Sequence, residues 1–183
     1  MHMKHIVICG EKKTGKSTLI ERLVAQCTMP IYGFYTRTTA RREDGYHSIY
    51  LYPAGSKERP KTERNHVGDC NSRQRTVYPE VFNALGVKYL QHHHDGMIVM
   101  DELGFMEAGA EAFCQTVLRC FDGSTPVIAV CKARYDVVFL DQVRNHSKVQ
   151  VYTITKENRD ALYRALLPVI RAWNGEMSNA KAR

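Results

Sequence analysis

The sequence predicts a doubly wound α/β domain with a mostly parallel sheet. Strand-like and helix-like stretches alternate over most of its 183 residues, which is the pattern of a sheet with helices on its faces. The strand-like stretches are apolar throughout instead of at every second residue, which is typical of parallel strands buried on both sides. The length favours one domain that spans residues 1–183.

The first two elements are a buried strand over residues 6–9 and a helix that follows a polar loop. Apolar side chains recur at helical spacing after that loop. They are Leu19, Ile20, Leu23, Val24 and Cys27. The loop at residues 10–18 is therefore predicted to lie between a strand and a helix.

Residues 31–53 predict an antiparallel β-hairpin inserted into the parallel sheet. Two stretches rich in Tyr, Ile and Thr flank a turn formed by Glu43, Asp44 and Gly45. Residues 54–75 are polar, charged and weakly patterned, so we predict a long loop there. The hairpin and the loop together form a predicted insertion over about residues 30–75.

Helices and strands alternate again in the second half of the chain. A helix is predicted over residues 78–91, with Gly86 as a candidate break. Further strands are predicted at residues 97–100, 126–131 and 148–154. Two later helices are marked by apolar side chains at helical spacing: Phe113, Val117, Leu118 and Phe121 in one, Leu162, Leu166 and Ile170 in the other. Thr155 is placed to cap the last helix, which continues despite Pro168.

Composition excludes several classes of protein. No apolar run approaches the ~20 residues that a membrane-spanning helix needs, and the N-terminus is too short for a secretory signal. We therefore expect a cytoplasmic protein with no membrane partner. The six cysteines lack C-x-x-C spacing, which favours reduced thiols over disulfides or a zinc site. They are Cys9, Cys27, Cys70, Cys114, Cys120 and Cys131.

The net charge of +7 is concentrated in one segment. Residues 37–75 contain nine basic and five acidic residues, a local excess of +4. Such a segment fits a nucleic-acid surface, the mouth of a nucleotide site or a solvated loop. No nucleic-acid-binding motif accompanies it, so we do not expect a nucleic-acid partner.

The loop at residues 10–18 matches the phosphate-binding motif G-x-x-x-x-G-K-[ST]. Its glycines let consecutive amides point inward, and the helix that begins near Lys16 adds the positive end of its dipole. Lys16 would reach the β- and γ-phosphates, and the Ser17 hydroxyl would hold Mg²⁺. Lys12 and Lys13 either add charge over the phosphates or are solvated. The predicted nucleotide contacts in the loop are Gly10, Glu11, Lys12, Lys13, Thr14, Gly15, Lys16, Ser17 and Thr18.

An acidic pair ends the strand predicted at residues 97–100. Ligands bind at this edge of a parallel sheet, next to the phosphate loop. Asp101 would accept a hydrogen bond from water on Mg²⁺, and Glu102 would deprotonate the water that attacks the γ-phosphate. The alternative is an Asp-Glu pair that only caps the turn after a core strand.

The same segment fits D-x-x-G, in which the Gly104 amide would meet the γ-phosphate. The guanine-reading motif N-K-x-D is absent from CKARYD, at the end of the next strand, so guanine specificity lacks support. Lys132 or Arg134 remains a candidate contact to the base or the phosphates.

The sequence resembles the family of THEP1-type and cancer-related nucleoside triphosphatases. The resemblance covers nearly the whole chain and rests on GEKKTGKST, IYGFYTR, HVGDC, ALGVKYL, IVMDELGFME and TKENRDAL, in this order. It implies a P-loop NTPase fold and Mg²⁺-dependent hydrolysis of ATP, GTP and other nucleoside triphosphates, with broad base tolerance. By resemblance, Lys16 and Glu102 are catalytic, and Ser17 and Asp101 bind the metal. Glu107 also matches, with a structural or a catalytic task.

Two positions depart from the family pattern. Family loops usually carry Pro-Gly where this chain has Lys12 and Lys13, and commonly a lysine in place of Phe105. The altered loop is similar to that of guanine-nucleotide-binding adaptors of molybdenum-cofactor biosynthesis. If the missing lysine assists catalysis, turnover is either slower or supported by another cation, such as Arg37 or Arg64.

Other chemically suggestive residues are expected to be structural. Three consecutive histidines, His92, His93 and His94, spread around a helix axis and do not converge on one metal ion. Arg159 is expected to pair near the sheet edge, with nucleotide binding as the alternative. Tyr32, Phe34 and Tyr35 are expected to pack in the hairpin, with stacking on a base as the alternative.

Three functions fit the sequence. The first is a Mg²⁺-dependent nucleoside triphosphatase in which Glu102 activates water. The second is a nucleotide-gated adaptor for cofactor assembly, with slow hydrolysis and a protein partner. The third is a small-metabolite kinase, which needs an acceptor pocket and usually a mobile lid.

Overall fold

A computed structural model describes residues 5–91, 95–134 and 136–181, and only the backbone of residues 176–181. The described chain contains eight strands: β1 His5–Gly10, β2 Ile31–Thr38, β3 His47–Pro53, β4 His66–Cys70, β5 Arg75–Val77, β6 Met97–Leu103, β7 Val127–Lys132 and β8 Val149–Thr153. They form one sheet with the order β5-β4-β3-β2-β6-β7-β1-β8.

Five of the strands are parallel. β1 lies between β7 and β8, β6 pairs with β7 and β2, and all four pairings are parallel. β3, β4 and β5 extend this sheet beyond β2 in antiparallel pairings. The mostly parallel α/β fold predicted from the sequence is confirmed.

Helices cover both faces of the parallel half. They are α1 Lys16–Val24, α2 Pro79–Val81, α3 Val87–Leu90, α4 Glu111–Asp122, α5 Val138–Arg144 and α6 Arg159–Lys181, and the π-helical segment Phe82–Gly86 joins α2 to α3. Side chains of α1 and α6 pack on one face, and those of α4 and α5 pack on the other. The Asn158 amide donates to Thr155 Oγ1 at 3.3 Å in the turn that precedes the final helix, which begins at Arg159.

The apolar strands divide their side chains between the two faces, as the pleat requires. In β1, Ile6 and Ile8 enter the core beneath α1 and α6, while Val7 and Cys9 enter the core beneath α4 and α5. All six residues of β1 are buried. This double burial explains why the strand lacks polar residues at alternate positions.

The predicted insertion over residues 30–75 is not confirmed. β2 and β3 do pair in antiparallel fashion, but β2 is also hydrogen-bonded to β6, so it belongs to the main sheet. The long loop predicted at residues 54–75 is wrong in its second half, which contains a 3₁₀ turn, Glu63–Asn65, and the strand β4. The residues of this segment are mostly polar and therefore resemble a loop. An edge strand buries few side chains, so it can form from such residues.

Three smaller differences concern element ends. Gly86 does not break the helical stretch of residues 79–90, because the π-helical segment carries it through to α3. The acidic pair lies inside β6 and not after it, since that strand continues to Leu103. α5 was not predicted from the sequence.

The described residues contain no helix long and apolar enough to cross a membrane. The six cysteines are free, as predicted. His92, His93 and His94 lie outside the described residues.

Candidate active site

The phosphate loop leaves the end of β1 and enters α1, as its motif predicts. Gly15 has a φ of 97°, in the left-handed region where glycine is favoured. Lys13 also has a positive φ, 64°, so a lysine adopts a conformation that is uncommon for residues other than glycine. The loop therefore curls inward although Lys12 and Lys13 replace the Pro-Gly that the resemblance implies.

Lys16 lies across this loop. Its Nζ donates to the Gly10 carbonyl at 2.9 Å and to the Glu11 carbonyl at 2.7 Å, and the residue is 8% exposed. Thr14 Oγ1 also donates to the Glu11 carbonyl, at 2.9 Å. A buried ammonium group in a loop that leads into a helix N-terminus is an arrangement that attracts phosphate.

Ser17 and Asp101 meet although they are far apart in sequence. Ser17 Oγ donates to Asp101 Oδ1 at 3.0 Å, and Asp101 is 1% exposed. Burial raises the pKa of Asp101, while its ion pair with Arg37 opposes that shift. Arg37 Nη1 lies 2.8 Å from Asp101 Oδ2, and its Nη2 lies 2.9 Å from Glu21 Oε1.

The oxygen atoms of Ser17 and Asp101 fit a magnesium ion. A hydroxyl and a single carboxylate are hard ligands, and Mg²⁺ at nucleotide sites takes its other ligands from phosphates and water. No group of three or more His, Cys, Asp or Glu side chains in the described part of the chain suits a metal. The donor set is therefore one that a bound triphosphate would complete.

Glu102 points toward the neighbouring strand. Its Oε1 lies 3.0 Å from Lys132 Nζ at the end of β7, and its backbone amide donates to Thr36 Oγ1 at 2.9 Å. Both charged side chains are partly exposed, at 27% for Glu102 and 35% for Lys132. Sequence reasoning assigned Lys132 only to the base or the phosphates and missed this ion pair, because strand order decides it.

Gly104 differs from its prediction. Its amide donates to Glu107 Oε2 at 2.8 Å, so the hydrogen expected to meet the γ-phosphate already has a partner. Glu107 is fully buried, and burial raises its pKa to about 7, with the nearby Lys132 opposing the shift. Of the two tasks that the sequence left open for Glu107, this contact supports a structural one.

Two cavities meet at Glu102. The smaller, about 290 Å³, is lined by Ser17, Arg37, Asp101, Glu102, Glu107 and Lys132, among others. The larger, about 790 Å³, lies between the phosphate loop and the turn that joins β4 to β5. Every predicted loop contact lines the larger cavity except Thr14, which is buried inside the loop. Ser17, Glu102 and Lys132 line both cavities.

The three aromatic residues considered for stacking on a base each have another contact in the structure. Phe34 is fully buried and packs edge-on against Phe113, so it cannot stack on a base. Tyr32 donates to Asp95 at 2.8 Å, and Tyr35 lies beneath the Arg37 guanidinium at 4.6 Å. Phe34 thus packs against α4 and Tyr32 bonds to Asp95, both outside the predicted hairpin, so packing within a hairpin is not confirmed for these two side chains.

The basic residues considered for the site differ in their distance from it. Arg37 lies at Asp101, whereas Arg64 lines neither cavity. Arg159 lies beside the loop, because a Cβ added at Gly15 would be 3.8 Å from its Cδ. Arg134 lines the larger cavity and forms an ion pair with Asp136.

A model of the protein family described as NTPase matches residues 5–167, which is most of the chain. The chain belongs to this family. It is 28% identical over 177 residues to nucleoside-triphosphatase THEP1 of Thermotoga sp. strain RQ2, a match that covers 93% of this chain and 98% of that protein. It is 27% identical over 184 residues to the human cancer-related nucleoside-triphosphatase, covering 87% and 92% of the two chains.

Solved structures support the same fold. The crystal structure of THEP1 from the hyperthermophile Aquifex aeolicus superposes with a TM-score of 0.73 at 21% identity, covering 91% of this NTPase and 98% of that chain. The solution structure of a human cancer-related nucleoside triphosphatase gives a TM-score of 0.65 at 22% identity, covering 92% and 98%. The family resemblance and the P-loop fold drawn from the sequence are confirmed.

Proposed function

We propose that this NTPase hydrolyses nucleoside 5′-triphosphates to nucleoside diphosphate and phosphate in the presence of Mg²⁺. The observation that carries the proposal is the 3.0 Å contact between Ser17 and Asp101. It brings the phosphate loop to the acidic pair, so one polyphosphate can touch both. The names of the relatives, nucleoside-triphosphatases from bacteria and mammals, support the same reaction class.

The loop binds and orients the phosphates. Its amides and the start of α1 favour negative charge, and the Lys16 ammonium would exchange its two backbone carbonyls for phosphate oxygens. Ser17 and Asp101 would hold Mg²⁺, which supplies positive charge to the phosphate oxygens when bound. Arg37 would release Asp101 in that state, since the ion and the guanidinium need the same carboxylate.

Glu102 would act as the general base. The oxygen of a water molecule forms a bond to the γ-phosphorus while the bond from that phosphorus to the β,γ-bridging oxygen breaks. The proton of the water passes to the Glu102 carboxylate, and the bridging oxygen leaves with the diphosphate. Lys132 Nζ lies 3.0 Å from this carboxylate and would position it before this step.

Base tolerance completes the proposal. The strand that ends near CKARYD lacks the guanine-reading motif, and the substrate class is therefore nucleoside triphosphates in general, ATP and GTP included. Lys16, Ser17 and Asp101 would contact the phosphate tail and its metal, the part that these substrates share.

The test is phosphate release by Glu102→Ala. Loss of a general base costs about 10²- to 10⁴-fold in rate, so we expect turnover to fall by that factor while the affinity for Mg²⁺ and nucleotide survives. Glu111→Ala, at an exposed position in the first turn of α4, is the matched control and should keep full activity. Undiminished turnover in the Glu102 variant would overturn the assignment of the base.

A second candidate is a nucleotide-gated adaptor with slow hydrolysis. It is favoured by the two ion pairs that neutralise Asp101 and Glu102, because both must rearrange before water can be activated. A single-turnover rate no faster than nucleotide release, together with a protein partner captured in only one nucleotide state, would support it. Fast multiple turnover by the protein alone would exclude it.

A further inference from the structure

Three cations surround one aromatic ring beside the phosphate loop. The Arg75 guanidinium carbon and Lys132 Nζ each lie 4.8 Å from the centroid of the Phe105 ring, and the Arg134 guanidinium carbon lies 5.4 Å from it. They come from β5, from β7 and from the loop after β7. All four residues line the 790 Å³ cavity that also contains the phosphate loop.

Two of the three cations already have a carboxylate. Lys132 pairs with Glu102 at 3.0 Å, and Arg134 holds Asp136 through two hydrogen bonds of 2.8 and 2.5 Å. The Arg75 side chain makes no hydrogen bond or ion pair to a residue in the described ranges 5–91, 95–134 and 136–181, although its charge helps to lower the pKa of Asp136, after the hydrogen bond from Arg134. Its donors face a cavity that is built to attract phosphate.

The backbone that carries Arg75 is well fixed. The β4–β5 turn closes with a hydrogen bond from the Asn71 amide to the Gln74 carbonyl at 2.9 Å, and Asn71 Oδ1 accepts from the amides of Arg73 and Gln74. Arg75 pairs with Cys70 across this turn, at the exposed edge of the sheet. A long side chain on a rigid turn can exchange its contacts without moving the backbone.

We propose that Arg75 is a catalytic residue that moves from the Phe105 ring onto the terminal phosphate and stabilises the charge that develops there. This inference rests on the proposed hydrolysis. An arginine suits the task because its planar group presents several donors at once to phosphate oxygens. A cation held over an aromatic face at an exposed site is weakly bound, so a phosphate can replace the ring.

The ion pairs of the three cations indicate which one is able to move to the phosphate. If Lys132 moved to the phosphate, it would leave Glu102, and if Arg134 moved, it would leave Asp136. Arg75 breaks no ion pair when it moves. Arginine side chains supplied in this way to phosphoryl transfer act on the transition state more than on the bound substrate.

The experiment compares Arg75→Ala and Arg75→Lys with Arg64→Ala, at a residue that lines neither cavity. Loss of one transition-state donor costs about 10²- to 10³-fold, so kcat of Arg75→Ala should fall by that factor with KM changed less than about threefold. Arg75→Lys should recover part of kcat. The Arg64→Ala control should stay within about threefold of the wild-type kcat.

Binding provides a second readout. Titration with ADP, Mg²⁺ and aluminium fluoride, which mimic the transferring phosphoryl group, should show a loss of affinity in Arg75→Ala, while titration with ADP and Mg²⁺ alone should not. An equal loss of affinity in both titrations would show that Arg75 contributes only general positive charge to nucleotide binding. Wild-type affinity in both titrations would show that Arg75 does not contact the transferring phosphoryl group. Either result overturns the inference.

Failure of the two proposals can be distinguished. If the wild-type protein releases no phosphate, the proposed hydrolysis fails. The difference between the two titrations then still decides whether Arg75 contacts the terminal group. Thermal unfolding of each variant checks the fold, and the exposed position of Arg75 leads us to expect no change in Tm.

Discussion

At the scale of single residues, the acidic side chains of the site have different surroundings. Asp101 is almost fully buried but ion-paired, and Glu102 is partly exposed and ion-paired. Glu107 is buried with only amides for close partners, among them that of Gly104. Desolvation is the main cause of its raised pKa, and the charge of Lys132 opposes that shift.

Glu107 should make the stability of the protein fall with rising pH. Its pKa is about 7 in the folded protein against 4.5 ordinarily, so the folded state holds this proton more tightly than the unfolded chain does. The free energy of unfolding should decrease between about pH 4.5 and 7, by roughly 3 kcal/mol in total from this group. Glu107→Gln should flatten that slope.

Chemical denaturation at a series of pH values measures the effect. The Gln variant keeps an oxygen that can accept the Gly104 hydrogen bond, and it should therefore be more stable than wild type above pH 7. Glu111→Gln, at an exposed glutamate nearby in the chain, serves as the control and should keep the wild-type slope. An unchanged slope in Glu107→Gln would contradict the buried, titrating carboxyl.

Phe105 departs from the family pattern, but the site around it remains positively charged because three cations surround its ring. The resemblance implies a lysine there, and the aromatic ring instead stands among three cations. Neither of the substitutes expected from the sequence, Arg37 and Arg64, is part of this group. The charge is supplied by neighbouring strands and not by the residue itself.

At the scale of elements, the helical stretch of residues 79–90 is positioned by one close contact. A Cβ placed on Gly86 would lie 2.5 Å from Cδ2 of Phe113 in α4. The Phe113 ring is fully buried between Phe34 and Phe82, with centroid distances of 5.3 and 5.4 Å, so it has no room to move. Gly86 therefore sets how closely this stretch approaches α4.

Gly86→Ala should destabilise the protein. Overpacking a buried contact of this kind costs about 1–3 kcal/mol, more than the helix propensity that alanine adds. Gly175→Ala is the matched control, since nothing lies within 4 Å of its Cβ position in α6. Denaturant titration should place the Gly86 variant below wild type and the Gly175 variant at or above it; equal stability of the two variants would rule out the contact.

At the scale of the whole molecule, one sheet carries two cores. The core under α4 and α5 and the core under α1 and α6 share the strands β1, β6 and β7. The candidate site lies at the carboxyl ends of these same strands. Ser17, after β1, donates to Asp101 in β6, and Lys132 in β7 pairs with Glu102 in β6. We therefore expect residues 1–183 to unfold as a single cooperative domain.

Bound nucleotide should stabilise that domain as a unit. A ligand at 100 times its Kd adds about 2.7 kcal/mol to the free energy of unfolding, which corresponds to a rise in Tm of about 5–10 °C for a chain of this size. Calorimetry and far-ultraviolet circular dichroism with Mg²⁺ and a non-hydrolysable triphosphate analogue should report one transition that shifts together. Two transitions, of which only one responds to the ligand, would contradict the single domain.

The sequence by itself determined the features that depend on neighbouring residues. The loop motif needs glycine, lysine and serine at fixed spacing, and the parallel strands need only continuous apolar residues, so both were predicted correctly. It did not determine β4 and β5, because edge strands bury little and their polar residues resemble a loop. The sequence also did not indicate that Lys132 forms an ion pair with Glu102.

Only the tertiary structure decided which distant side chains meet. Strand order places β7 between β1 and β6, and this order brings Lys132 to Glu102. The antiparallel edge brings Arg75 to Phe105, about 30 residues away in sequence. Contacts of this kind follow from the pairing of whole strands, which depends on the packing of both cores and not on any local pattern of residues.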